Sequence, residues 1–157
     1  MTPTIRPATV EDVDELARLR WEFRIDHGTP ATAAFTDFLD GFRAFTNDVL
    51  AGDAWRAWVA EEEGRLVGCV WLQLVEKVPH PNRARWERPI GYVTNMYVVR
   101  ALRDAGIGRA LLDAAVDHAR ERGLDGLMLW PSERSVPFYR RAGFEPEGWL
   151  WLDVSGD

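Results

Sequence analysis

The residues with the strongest chemical signature run Tyr97-Val98-Val99-Arg100-Ala101-Leu102-Arg103-Asp104-Ala105-Gly106-Ile107-Gly108-Arg109. The pattern reads as the end of a strand, a turn holding two glycines one residue apart, and the start of a helix. Gly106 and Gly108 let the backbone come close to a ligand. The first turn of a helix presents unpaired N–H groups and the positive end of its dipole to an anion. Arg100, Arg103 and Arg109 add positive charge to the same stretch, so the chemistry expected is pyrophosphate binding. Two familiar phosphate loops fail on spacing. The dinucleotide fingerprint needs Gly or Ala where Leu111 stands, and the Walker loop needs Lys followed by Ser or Thr where Arg109-Ala110 stand.

Charge supports a local anion site rather than a general one. Over 157 residues, 19 Lys and Arg oppose 25 Asp and Glu for a net charge of −6, which argues against affinity for a nucleic-acid backbone. Residues 1–64 carry 6 basic and 13 acidic side chains, whereas residues 79–110 carry 6 and 2. An anion is expected at the basic stretch. The single cysteine, Cys69, excludes an intrachain disulfide and reads as a small core residue. His27, His80 and His118 show no ligand spacing, so no metal site is expected. No apolar run approaches the roughly 20 residues of a membrane helix. Met1–Arg6 lacks the basic-then-apolar pattern of a signal peptide, so a cytoplasmic location is expected.

The elements that must position the loop follow from periodicity. Thr4–Pro7 reads as a first strand. Thr9 is a good N-cap, with Asp12 at the reciprocal capping position of a helix reaching about Asp26. Phe35, Phe38, Leu39, Phe42, Phe45 and Val49 recur at helical spacing within a second helix from about Thr32 to Leu50. Trp55–Glu62 and Arg65–Val75 flank Glu63-Gly64 as a hairpin, and residues 76–89 form a proline-containing loop. Ile90–Val99 is a long strand in which Asn95 marks a strand irregularity, an edge or bulge position, or a polar contact to the acceptor. A helix over Gly108–Arg122 closes at Gly123. Leu124–Trp130 is a buried strand, Ser135–Ala142 a short helix, and Phe144–Val154 one or two final strands. The order predicts one α+β domain over residues 1–157, with a mixed, mostly antiparallel sheet flanked by helices and one parallel β-α-β unit at 90–130.

Two motifs then carry a family resemblance across essentially the whole chain. Arg103-x-x-Gly106-x-Gly108, preceded by Met96-Tyr97-Val98, resembles the R/Q-x-x-G-x-G/A signature of the GNAT superfamily of acetyl-CoA-dependent N-acetyltransferases. Phe138-Tyr139-Arg140-Arg141-Ala142-Gly143-Phe144 resembles that superfamily's downstream tyrosine segment. The resemblance implies a splayed sheet that takes acetyl-CoA as co-substrate between the 90–99 strand and the 124–130 strand. It implies that backbone amides of Asp104, Ala105, Gly106, Ile107, Gly108 and Arg109 hold the pyrophosphate, with Arg103 of the signature also among the cofactor-binding residues. Main-chain groups of Met96, Tyr97 and Val98 would line the pantetheine arm, with an amide near Val98 on the acetyl carbonyl. Tyr139 matches the tyrosine that protonates the departing thiolate. Ser132 stands where many members carry a CoA-contacting asparagine, and Leu127–Trp130 lacks the glutamate that some members use as base. Glu87, Glu133 and His80 are the replacement candidates, with Glu87 placed first, and Trp86 is a candidate for contact with the acceptor.

The function implied is acetyl transfer to a primary amine by direct attack in a ternary complex. The acidic N-terminal part suits a small, cationic acceptor, such as an amine metabolite or an aminated antibiotic. A protein or peptide N-acetyltransferase and a non-catalytic acyl-CoA-binding module are the competing readings. No nucleic-acid or membrane partner is implied, and there is room for a homodimer.

Overall fold

The structure is a computed structural model that describes residues 2–79, 81, 88–146, 152 and 154. Its elements run β1 (Thr4–Pro7), α1 (Val13–Asp26), α2 (Phe35–Ala51), β2 (Trp55–Glu62), β3 (Arg65–Val75), β4 (Ile90–Val98), α3 (Ile107–Glu121), β5 (Leu127–Met128) and α4 (Val136–Arg141), with short 3-10 turns ahead of α1 and α4 and after β4. The five strands lie in the order β1-β2-β3-β4-β5. All neighbours are antiparallel except β4 and β5, which are parallel. This mixed, curled sheet with flanking helices is the α+β architecture expected from the sequence. Among the described residues no helix is long and apolar enough to cross a membrane.

Helices cover both faces of the sheet, and for that reason β2 and β3 are apolar almost throughout. On β2, Ala57 and Val59 face α1 and α2, packing with Leu16, Leu19 and Trp71, while Trp58 and Ala60 face α3, packing with Leu111, Leu112 and Ala115. The Thr9–Asp12 box expected from the sequence closes the 3-10 turn that leads into α1: the Thr9 amide donates to Asp12 Oδ2 at 2.8 Å, and Arg6 clasps both Asp12 oxygens at 2.8 Å. The aromatic stripe of α2 packs as predicted, with Phe42 edge-on to Trp71 and Phe38 against Trp21. The helix starts at Phe35 rather than Thr32, with Ala34 extended as its cap and no side chain closing the turn.

Two further boundaries differ from expectation. β5 is two residues long rather than seven, because Leu124 donates to the Ala119 carbonyl at 2.9 Å and Asp125 to the Pro89 carbonyl at 3.0 Å, both outside the ladder. Residues 144–146 form no strand, and most of 147–154 lies outside the described residues. Gly91 is what admits β5 at the foot of β4. A Cβ there would sit 2.5 Å from Leu127 Cδ2 and 2.7 Å from Cδ1 of fully buried Leu72.

The candidate active site between the splayed strands

Strand β4 pairs with β5 only at Gly91–Leu127 and Tyr92–Met128. Beyond that point the chain after Met128 leaves the sheet, and the edge of β4 from Val93 to Val98 borders open clefts. The break coincides with a bulge. Thr94 pairs with Trp71 and Tyr97 with Cys69, so Asn95 and Met96 together oppose the single residue Val70. Asn95 sits at φ +49, a left-handed conformation that asparagine tolerates better than most residues. Its carbonyl accepts from the buried Cys69 thiol at 3.5 Å, and its side-chain oxygen accepts from Arg20 Nη1 at 3.0 Å. The strand irregularity expected at Asn95 is therefore present, and α1 braces it.

Two clefts flank this segment. The loop-side cleft, about 800 Å³, is lined by Leu102, Arg103, Asp104, Gly106, Gly108 and Arg109, with Phe138 and Arg141 opposite. The α1-side cleft, about 540 Å³, is lined by Arg20, Phe23, Arg24 and His27 from α1, and by Leu129–Ser132 and Arg134 across the gap. Met96, Tyr97, Val98, Arg103 and Tyr139 line both, forming a common wall.

Of the predicted loop residues, Arg103, Asp104, Gly106, Gly108 and Arg109 line the loop-side cleft. Gly106 caps α3 at φ +83 with nothing within 4 Å of a built Cβ, so its backbone conformation rather than crowding demands glycine there. Asp104 is also left-handed, at φ +64. Gly108 packs under Met96, Val98 and Phe138. Ile107 turns its side chain into the core and Ala105 is exposed beside it, and neither lines the cleft. Arg109 Nε donates to Asp113 Oδ1 at 2.8 Å along the helix.

Arg103 is turned differently from a simple anion ligand. Its Nε donates to the Val98 carbonyl at 3.0 Å and its Nη2 to Asp26 Oδ2 at 2.7 Å, while the guanidinium lies 5.4 Å over the Tyr97 ring. The Tyr97 hydroxyl donates to the same Asp26 oxygen at 3.0 Å. That hydrogen bond, followed by Arg103, holds the Asp26 carboxyl below the usual range, and burial with the Asp26 contact pushes Tyr97 up to about 12. Ser132 caps the turn before α4 and donates to Ser135 Oγ at 3.0 Å at the rim of the α1-side cleft.

Tyr139 stands on the common wall with its hydroxyl 3.5 Å from Met96 Sδ. Burial pushes its phenol up to about 12, so the group is neutral over the whole physiological range. Glu87, His80 and Trp86 lie outside the described residues. Glu133 is exposed and lines neither cleft.

The charge of the α1-side cleft runs opposite to the sequence expectation. Among the described residues that line it there is no Asp or Glu, while Arg20, Arg24, Arg103 and Arg134 all border it. The acids of α1 are used elsewhere: Glu15 and Glu22 both receive Arg18, Asp14 receives Arg43, and Asp26 receives Arg103. Regional net charge concealed this, because helical periodicity sorts the acids and Arg20, Arg24 and His27 onto different faces. The i, i+4 spacing of Arg20 and Arg24 was the signal available in the sequence. Among the described residues no group of His, Cys, Asp and Glu is placed to hold a metal.

The model of the acetyltransferase (GNAT) family matches residues 13–144. A glucosamine 6-phosphate N-acetyltransferase of Trypanosoma brucei brucei is 31% identical over 60% of this chain and 60% of its own length. A mycothiol acetyltransferase of Frankia casuarinae is 34% identical over 71% of this chain and 35% of its own. The chain thus spans less than two thirds of the length of these curated relatives. The crystal structure of a predicted acetyltransferase from Clostridium acetobutylicum with acetyl-CoA superposes with a TM-score of 0.83 at 27% identity, covering 97% of this chain and 96% of that one.

Proposed function

The chain belongs to the GNAT family of acetyltransferases, and from that premise we propose that it moves the acetyl group of acetyl-CoA onto the amine of a small molecule by direct attack. The observation that carries this reading is the common wall: Met96, Tyr97, Val98 and Tyr139 border both clefts, so a donor in one and an acceptor in the other meet at the bulge. The α3 N-terminus, from Asp104 to Arg109, takes the pyrophosphate on its unpaired N–H groups. Main-chain groups of Met96–Val98 align the pantetheine arm, and an N–H near Val98 receives the charge that develops on the carbonyl oxygen.

In this reading the unprotonated amine attacks the thioester carbonyl carbon, the new C–N bond forms, and the C–S bond breaks. The amine proton passes to water in the open cleft, and the sulfur receives a proton from Tyr139, which recovers it from solvent. A phenol near 12 is a weaker acid than a thiol near 8.5, so early transfer is uphill. The transfer stays uphill even to the fully formed thiolate, so Tyr139 donates a hydrogen bond as charge builds on sulfur, and its proton moves only as solvent water reprotonates the phenol. The test is thiol release from acetyl-CoA with a panel of amines, alongside acetyl-CoA binding. Amine-dependent thiol release supports the reading. Tight binding with no release for any amine replaces it with a non-catalytic acyl-CoA-binding module.

A further inference from the structure

We propose that the α1-side cleft takes an amine carrying an oxyanion, a phosphate or a carboxylate, on the same molecule, held by Arg20, Arg24 and Arg134. The proposal rests on the acetyl-transfer reading above and names the class of its acceptor. Arg20 and Arg24 lie one turn apart on α1 and both border the cleft, with Arg134 in the turn before α4. None of the three has a carboxylate partner among the described residues. Arg18, on the same helix, is paired with both Glu15 and Glu22.

Arg20 is the central group. It is half-buried, donates to the neutral Asn95 side chain at 3.0 Å, and lies 5.4 Å over the Phe23 ring. Burial, followed by the charge of Arg24, lowers its pKa, so its surroundings disfavour the very charge it carries. An oxyanion relieves both effects at once, because it pairs the guanidinium and screens it from Arg24. Arg24 donates from Nη2 to Thr29 Oγ1 at 3.0 Å and keeps further donors for a ligand. The contact of Arg20 with Asn95 places the anion pocket beside the bulge, one residue from Met96 and its Tyr139 neighbour. A compact acceptor with its amine and oxyanion a few bonds apart fits that spacing.

The test is calorimetric binding to the protein preloaded with CoA. Glucosamine 6-phosphate is compared with glucosamine, and 4-aminobutyrate with butylamine. The expected result is at least tenfold tighter binding of the anionic member in one pair, and that pair identifies phosphate or carboxylate. Arg20→Gln should cut the preference at least fivefold, Arg20→Lys should restore part of it, and Arg24→Gln, at an exposed site, should cut it severalfold. Equal or tighter binding of the amines that lack the oxyanion, no binding of either anionic probe, or a preference that survives both glutamine variants overturns the proposal. Thiol release is read separately. Anion-selective binding without turnover defeats acetyl transfer and leaves the anion pocket standing, whereas turnover confined to the amines that lack the oxyanion does the reverse.

Discussion

Arg103 and Asp26 join the loop ahead of α3 to the last turn of α1, with Arg103 Nη2 donating to Asp26 Oδ2 at 2.7 Å. Since Tyr97 donates to the same oxygen, one carboxylate fixes the loop, the helix and the end of β4 together. Asp26→Asn should cost about 1 kcal/mol, the order expected for weakening a part-buried charged hydrogen bond partly screened by solvent. Because the folded-state pKa of Asp26 is depressed, its contribution is present above the unfolded value near 4 and lost as pH falls through the folded value. Urea midpoints should therefore differ fully between Asp26→Asn and wild type at pH 7, and the difference should begin to shrink only as pH falls below about 4, toward the depressed folded-state value.

Tyr139→Phe should lower kcat about 100-fold, at the lower end of the range for a lost general acid, while acetyl-CoA binding stays within about twofold. The raised Tyr139 pKa keeps the donor form present until pH nears 12, so Tyr139 imposes no alkaline decline below about pH 11. The wild-type rate should rise with pH and level off at the pKa of the acceptor amine. A fall between pH 8 and 10, absent in Tyr139→Phe, would contradict the assignment.

Gly106 and Gly108 should respond differently to a methyl group. Gly106→Ala forces alanine to φ +83, with an expected cost of about 1–2 kcal/mol and weaker acetyl-CoA binding of about tenfold. A Cβ at Gly108 meets Met96 Cε at 3.6 Å, ordinary contact, so Gly108→Ala should leave stability within about 0.5 kcal/mol. Thermal unfolding and acetyl-CoA titration of the two variants check this ordering.

Two substitutions at Asn95 separate strain from hydrogen bonding. Asn95→Gly keeps the left-handed conformation and loses only the acceptor for Arg20, whereas Asn95→Ala loses both. Alanine should be the more destabilising by about 1 kcal/mol in urea unfolding.

Much of this fold is legible because apolar periodicity reflects burial directly. Val59 and Trp58 alternate faces on β2, and the stripe from Phe35 to Phe45 follows one side of α2. The short β5 is not legible, since Leu124–Trp130 is apolar enough for a strand while its first amides bond elsewhere. The loop-side residues are found by spacing, because glycine at φ +83 has a chemical reason to be glycine. The charge of the α1-side cleft is hidden by counting over segments, since Glu15 and Glu22 cancel Arg18 and leave Arg20 and Arg24 unmatched.

The bulge in β4 has a consequence for how this sheet tolerates a change of length. Val93 packs toward α3 and Tyr97 toward α1, opposite sides for two residues four apart on one strand. In an uninterrupted strand they would share a side, so Asn95 and Met96 together fill one position of the two-residue repeat. Removing one residue at Asn95 leaves Val93, Thr94, Tyr97 and Val98 facing as they do now, with a continuous ladder to β3. The architecture is therefore complete without that residue, and the shorter chain should fold at least as firmly. What it would lack is the break in the ladder along which both clefts are arranged, so this one inserted position belongs to the site rather than to the scaffold.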